Sequence, residues 1–219
     1  MPQETTHGAV VPREMTLARW LFNPFVRVAG EQALAIGLIV IVASGLAAAA
    51  AGVHFDGLLD FHPGYRVSFW VPIVEGLLNW SVIAVLLVLV SFLVAPRTVR
   101  VVDIAGTQAL ARFPLLLGAL ACVPGPVREA NDELVAAAVE GRMVTPPAAS
   151  LVAGLFAGIC AIWMVWLMWK AFSVSCNQRG GRAVAIFVAA VIAGEVATKF
   201  LLGRLLGGLA AAGVPGGGN

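Results

Sequence analysis

Four side chains of the kinds that bind metals fall within a short segment of this sequence. His54, Asp56, Asp60 and His62 lie in His-Phe-Asp-Gly-Leu-Leu-Asp-Phe-His. Imidazole and carboxylate groups bind zinc and other divalent transition metals, and the central glycine lets the segment fold them together. The favoured interpretation is a solvated loop with helix-capping aspartates. The alternative is a divalent metal site, zinc for example, with a structural or sensing role.

A hydrolytic metal centre needs more than ligands. It requires a general base aimed at an open coordination position, and Glu75 is the candidate. No nucleophile elbow, zinc-protease, phosphate-loop or redox cysteine motif is present. Cys122, Cys160 and Cys176 have no paired spacing and are interpreted as small packing residues. The sequence therefore favours a protein that is not an enzyme and has no cofactor beyond that metal.

A second set of polar side chains falls inside long apolar stretches. There each charge costs at least a few kcal/mol unless it is paired or meets water. Glu195 and Lys199 are four residues apart, so they share one helix face and can neutralise each other. Three interpretations remain open: a buried network that holds helices together, a path for protons or ions, and a catalytic arrangement. The set consists of Glu75, Asn79, Asp103, Gln108, Arg112, Glu195 and Lys199.

The elements that carry these residues are membrane spans. Hydrophobic residues make up 60% of the 219 residues and charged residues 12%, with a mean hydropathy of +0.92. Soluble domains have about 25% charged residues. Apolar runs without period-two alternation predict helices, so the fold class is an all-α polytopic membrane bundle of five transmembrane helices. The predicted spans are 33–53, 71–94, 102–123, 147–172 and 183–202.

Segments outside the spans complete the predicted organisation. Residues 1–31 form a cytoplasmic and interfacial segment, with disorder over Met1 to Val11 and an amphipathic helix broken at Asn23-Pro24. Residues 32–206 form the membrane domain, and 207–219 a flexible tail. Between Pro124 and Pro147, helical spacing of apolar residues predicts a short amphipathic helix on the outer surface.

Basic residues predict the orientation, because short cytoplasmic loops retain Lys and Arg. Eight basic residues fall on the side of the N-terminus and four on the other side, which favours a cytoplasmic N-terminus and an external C-terminus. The third span carries charges and Pro114, so a four-span topology remains the alternative. The eight are Arg13, Arg19, Arg27, Arg97, Arg100, Lys170, Arg179 and Arg182; the four are Arg66, Arg128, Arg142 and Arg204.

Two further patterns concern helix placement. Trp163, Trp166 and Trp169 recur every three residues and predict an anchor at the headgroup boundary. Small residues in spans let backbones approach closely, within the chain or between two copies. The glycines predicted to pack in this way are Gly106, Gly154, Gly158 and Gly194.

Several motifs in order carry a family resemblance. Asn23-Pro24-Phe25 precedes the first span, Asp103-Ile-Ala-Gly-Thr-Gln-Ala-Leu-Ala-Arg-Phe-Pro114 opens the third, and Trp163-Met-Val-Trp-Leu-Met-Trp-Lys-Ala-Phe172 ends the fourth. From about residue 17 to 202 the chain resembles prokaryotic members of the Yip family, the Ypt/Rab-interacting proteins. The resemblance implies five spans.

The resemblance also implies a role. Eukaryotic relatives are linked to Rab GTPases through a cytoplasmic N-terminal region, but this chain has only about 30 residues there and lacks its acidic motif. Rab binding is therefore not carried over. The family implies a non-enzymatic scaffold or adaptor that acts through helix packing and association with a protein partner or a second copy.

Location and excluded partners follow from composition. A composition rich in Ala, Gly, Val and Arg but poor in Lys suggests a prokaryotic source and the cytoplasmic membrane. A net charge of +2, with basic residues spread over many loops, excludes nucleic acid as a partner. The alternative function is a small transporter or channel that uses the intramembrane charges, and a metal-binding hydrolytic or sensing role is the weaker one.

Overall fold

A computed structural model describes residues 15–94 and 99–211 of the chain. The disorder predicted for Met1 to Val11 lies outside the described residues. Eight α-helices, one short 3-10 helix and a two-stranded hairpin make up the described part. They are α1 (Leu17–Phe22), the 3-10 helix (Pro24–Val26), α2 (Gly30–Ala51), β1 (Val53–His54), β2 (His62–Pro63), α3 (Trp70–Val94), α4 (Val101–Leu110), α5 (Phe113–Ala121), α6 (Gly125–Val139), α7 (Ala148–Ser175) and α8 (Gly181–Ala211).

Among the described residues, five helical segments are long and apolar enough to cross a membrane. They are Gly30–Ala51, Trp70–Val94, Val101–Ala121, Ala148–Ser175 and Gly181–Leu205. The all-α fold class is confirmed, and the chain is an integral membrane protein. The predicted span boundaries lie close to the helix ends, and α6 confirms the helix predicted between Pro124 and Pro147.

The third span is interrupted at its centre. α4 ends at Leu110 and α5 begins at Phe113, with Ala111 and Arg112 between them. Pro114 causes the break, because its ring carries no N–H and clashes with the carbonyl four residues earlier. The Leu115 N–H donates to the Arg112 carbonyl at 2.9 Å, so the chain turns tightly and continues as a helix. Arg112 is thereby placed inside the bundle.

α2 is the central helix of the bundle, and glycines let its neighbours approach. A Cβ on Gly37 would lie 2.5 Å from the Leu110 backbone nitrogen, and one on Gly45 would lie 2.7 Å from the Ile73 backbone. Gly106 of α4 faces the Gly30 carbonyl across the same interface. Close packing by Gly106 is therefore confirmed. Gly37 and Gly45, which were not predicted from the sequence, also allow a neighbouring helix to approach closely.

Of the other three predicted packing glycines, one packs closely against neighbouring side chains and two do not. Gly194 packs against Leu58 and Ile83, as predicted. A Cβ on Gly154 or Gly158 would meet nothing within 4 Å among the described residues. Of the two neighbours left open for these glycines, one in the same chain is therefore not found among the described residues, because α7 turns this face away from them. A second copy remains the open alternative for these two.

The N-terminal segment lies against α7. α1 and the 3-10 helix are separated at Asn23, which confirms the predicted break. The indole N–H of Trp163 donates to the Leu21 carbonyl at 2.9 Å, and that of Trp166 donates to the Phe22 carbonyl at 3.2 Å. Two of the three tryptophans predicted as lipid anchors thus also fasten α1 to the bundle.

The C-terminal boundary needs a correction. A flexible tail was predicted to begin at residue 207, but α8 continues to Ala211. The fifth span itself ends at Leu205, close to the predicted end of the membrane domain at residue 206. Alanine and leucine favour helix, and they outweigh the two glycines at 207 and 208. The remainder of the predicted tail lies outside the described residues.

Candidate functional site

The loop between α2 and α3, residues 52–69, folds back as a hairpin. Gly52 adopts the left-handed conformation (φ 68°), and its N–H caps α2 by donating to the Ala48 carbonyl. β1 then pairs antiparallel with β2, placing His54 opposite His62. The turn between the strands carries Phe55 and Leu58, which are buried. The segment is therefore a structured hairpin whose turn enters the bundle. The favoured interpretation, a solvated loop with helix-capping aspartates, is wrong, because Asp56 and Asp60 pair with His62 and Lys199 instead of capping a helix.

α3 holds the start of this loop through two buried polar side chains. Glu75 is fully buried, and its Oε1 lies 2.8 Å from Nδ1 of His54. Its Oε2 accepts from the Phe55 N–H at 2.9 Å. Asn79, one turn further along α3, donates through Nδ2 to the Phe55 carbonyl at 2.6 Å. Together these contacts satisfy loop groups that would otherwise be buried without partners.

α8 holds the turn of the loop from the other side. The Leu59 N–H donates to Oε2 of Glu195 at 2.8 Å, and the Leu58 N–H donates to Oγ1 of Thr198 at 3.1 Å. Lys199 reaches Asp60 Oδ2 at 2.5 Å and Glu195 Oε1 at 3.4 Å, which confirms the predicted pair within α8. The loop latch is defined as Glu75, Asn79, Glu195, Thr198 and Lys199.

Gly57 is required by this arrangement. A Cβ at this position would lie 2.6 Å from Glu195 Oε1, closer than real side-chain contacts allow. The glycine therefore lets the loop backbone lie directly on the carboxylate of α8. Sequence reasoning assigned Gly57 to folding the metal ligands together, whereas here it allows the loop and α8 to pack.

Each loop histidine faces acceptors at both ring nitrogens. His54 Nε2 lies 2.8 Å from the Tyr65 carbonyl, which cannot donate, so this nitrogen carries a proton. Between His54 Nδ1 and Glu75 there is then one further proton to share. His62 contacts the Pro63 carbonyl at 2.8 Å and Asp56 at 2.9 Å.

These contacts control the protonation of both rings. Burial lowers the pKa of His54, but the hydrogen bonds to Glu75 and the Tyr65 carbonyl outweigh it and raise the pKa above the usual histidine value. Burial likewise lowers the pKa of His62, and the Pro63 carbonyl and Asp56 more than reverse this effect. The hairpin therefore favours protonated histidines.

The four predicted metal ligands are all engaged in contacts of this kind. His54 contacts Glu75, His62 contacts Asp56, and Asp60 contacts Lys199. Within residues 15–94 and 99–211, no group of three or more His, Cys, Asp or Glu side chains is gathered for a metal. A divalent metal here would have to displace at least two of these contacts. Metal binding stays a prediction.

The rest of the predicted intramembrane set lies apart from the loop latch. Asp103 is near the start of α4, with Oδ1 3.9 Å from Arg100 Nη1. Gln108 donates to the Met168 carbonyl at 3.0 Å, joining α4 to α7. Asp103 and Arg112 make no ion pair with each other in the part of the chain that the structure describes. The predicted set is thus several separate groups.

Arg112 is the charged residue of this set whose side chain is buried without a partner for two of its nitrogens in the described part of the chain. Its side chain is buried, with 2% of its surface exposed. Nε and Nη2 find no hydrogen-bond partner among the described residues. Beside the side chain lies a cavity of about 10 Å³, close to the size of one water molecule, which Ser44, Phe55 and Gly76 also line. A buried charge without a partner is costly, so this residue is a candidate for a function of its own.

Thr198 and Phe55 are members of the site that sequence reasoning missed. The signal for Thr198 was its position three residues after Glu195 on one face of the fifth span. Phe55 contributes mainly through its backbone groups, which carry no signal in the sequence. Comparison with known proteins adds no relative, since no family model, no curated protein and no solved structure matches this chain.

Proposed function

We propose that this protein is a non-enzymatic membrane scaffold or adaptor of the Yip type, which acts through helix packing and association with a partner. In this proposal it lies in the cytoplasmic membrane of a prokaryote, with its N-terminus inside and its C-terminus outside. The loop latch carries the proposal. Its polar groups lie on span helices, where a transport path or a catalytic site would also place them, but they form hydrogen bonds to the chain's own loop.

The contacts of the two latch carboxylates favour a structural role over a proton path. Both oxygens of Glu75 are engaged, one by His54 and one by the Phe55 N–H. Both oxygens of Glu195 are engaged as well, by the Leu59 N–H and by Lys199. A relaying carboxylate must exchange its proton with water or with a second partner. These two hold α3 and α8 to the same hairpin.

An exposed apolar face on α1, which lies against α7, supports association with a partner. Leu17, Trp20 and Phe22 of α1 are exposed to 74%, 46% and 51%. Such an apolar face either lies in the headgroup layer or accepts a partner at the membrane surface. Because Trp163 and Trp166 fix α1 in place, the face is presented in one orientation.

Crosslinking tests the scaffold proposal directly. A photoreactive residue at position 17, on the exposed face of α1, is expected to give discrete protein adducts in native membranes. The matched control is position 200, where Phe200 is also exposed but lies on a span. Adducts from both positions alike, or from neither, would contradict a partner site on α1.

Arg112 favours a second candidate function, a small transporter or channel. A buried guanidinium with two unpartnered nitrogens suits a passing anion, although its cavity is only about 10 Å³. Flux measurements in reconstituted vesicles separate the candidates. The scaffold proposal predicts proton and anion flux at the level of empty vesicles. Flux that is lost in Arg112→Gln or Glu195→Gln would support transport instead.

A further inference from the structure

We propose that the protein binds the phosphate headgroup of an anionic phospholipid in a cavity beside the N-terminal segment. The cavity has a volume of about 480 Å³. It lies between the segment around Asn23, the end of α7 and the turn into α8. Its polar lining comes from Asn23, Lys170, Ser173, Asn177 and Arg179.

The charges that line the cavity favour an anionic ligand. Lys170 and Arg179 both line the cavity, and none of its described lining residues is acidic. Neither cation forms an ion pair with an acid in the part of the chain that the structure describes. Lys170 is held over the Trp166 ring, with Nζ 4.6 Å from the ring centroid. The two positive side chains are therefore available for a phosphate.

The N-terminus of α8 adds to this preference. The helix begins at Gly181, and Gly180, which lines the cavity, has no side chain to cap the first turn. The first N–H groups of a helix have no partner within the helix and carry a partial positive charge. Beside Arg179, they supply further donors to the same phosphate.

A zwitterionic headgroup fits the cavity less well than an anionic one. Its ammonium group would place a positive charge beside Lys170 and Arg179.

The position of the cavity identifies the source of the phosphate as a lipid. Trp169 lines it, and Trp166 flanks it through Lys170. Tryptophans at the end of a span favour the headgroup layer. The exposed apolar residues Trp20 and Phe22 of α1 lie on the same side of the molecule, since α1 is fastened to Trp163 and Trp166.

Lipid retention by the full-length protein tests the proposal. Protein in mixed-lipid nanodiscs would be examined by native mass spectrometry with phosphatidylglycerol, phosphatidic acid and phosphatidylcholine. Phosphatidylglycerol and phosphatidic acid are both expected to bind more tightly than phosphatidylcholine. Each basic side chain near a headgroup is worth roughly fivefold in affinity, so the double variant Lys170→Gln/Arg179→Gln should lose about twenty- to thirtyfold. Arg204→Gln, a basic residue near the other end of α8, should leave retention unchanged.

A further variant keeps the test decisive. Lys170→Arg preserves the charge and should retain phosphatidylglycerol, even if the double variant fails to fold. Equal retention of phosphatidylcholine, or of phosphatidylglycerol by a folded double variant, would overturn the proposal. Displacement of the lipid by millimolar glycerol phosphate would reassign the site to a soluble phosphoester.

Discussion

At the scale of single residues, the polar groups of the loop latch, which lie in apolar spans, are explained by the loop that they hold. A fully buried carboxylate is costly unless it is paired and hydrogen-bonded, and Glu75 is both. Removing one partner of such a pair typically costs about 3 to 5 kcal/mol, because the other charge is left alone. Glu75 and His54 therefore act as one unit.

The Glu75–His54 pair is expected to make the stability of the folded protein depend on pH. The pKa of His54 is raised by its hydrogen bonds in the folded protein, so the stabilisation is fully present below the ordinary histidine pKa of about 6.5. It is lost as the pH rises through the higher folded pKa. The melting temperature of the purified protein should therefore fall between about pH 6.5 and alkaline pH.

His54→Gln should flatten that dependence, leaving the part that His62 contributes, because the pKa of His62 is also raised. The double variant His54→Gln/His62→Gln should remove most of it. Melting curves over the pH series check both expectations. A wild-type melting temperature that rises across this range would contradict the protonation assigned to the hairpin.

A second prediction concerns Thr198, which accepts from the buried Leu58 N–H. Thr198→Val keeps the shape but leaves that N–H without a partner, which costs about 1 to 3 kcal/mol. Thr198→Ser keeps the hydroxyl and is the matched control. Thermal unfolding and protease cleavage of the 52–69 loop should both respond to valine far more than to serine. Equal effects of the two variants would show that the hydroxyl is not what holds the loop.

At the scale of elements, the sequence predicted the spans but not how they meet. Apolar runs and flanking prolines located the five segments, and the break at Asn23 followed from Asn-Pro. The loop latch depends on contacts such as Leu58 with Thr198, which are far apart in the chain and leave no local pattern. Gly154 and Gly158 match a packing motif, yet only the arrangement of neighbours decides whether such a motif is used.

The prediction at this scale concerns a glycine at a helix crossing and a glycine that faces no neighbour. Gly106→Ala places a methyl group against the Gly30 carbonyl and within 2.8 Å of the Leu34 nitrogen, and backbone atoms cannot move aside easily. Overpacking of this kind costs about 1 to 3 kcal/mol. The control is Gly154→Ala, where nothing lies within 4 Å and helix propensity improves by up to about 1 kcal/mol.

Melting temperatures in detergent should therefore fall for Gly106→Ala and stay or rise for Gly154→Ala. Size measurements on the same samples address the remaining alternative for Gly154. If Gly154→Ala instead converts a dimer into monomers, that glycine packs against a second copy. A neutral Gly106→Ala would contradict the close crossing of α2 and α4.

At the scale of the whole molecule, contacts at the two ends of the bundle bear on the number of spans. At one end, Arg66 of the 52–69 loop pairs with Asp132 of α6 at 2.7 Å, and Asp60 pairs with Lys199. At the other end, Arg100 pairs with Glu31 at 3.0 Å. Because α6 follows the broken helix α4–α5, the Arg66–Asp132 pair requires that helix to run from one end to the other.

The broken third helix thus favours five spans over four, and five spans predict termini on opposite sides of the membrane. Reporter fusions after residue 142 and at the C-terminus should both be external, and one at the N-terminus cytoplasmic. In the four-span alternative, residue 142 and both termini would share one side, and Asp132 could not reach Arg66. Arg66→Glu with Asp132→Arg provides an independent check, because the exchanged pair should restore the stability that either single change removes. If the exchange rescues nothing and the reporter after residue 142 is cytoplasmic, the third helix does not cross.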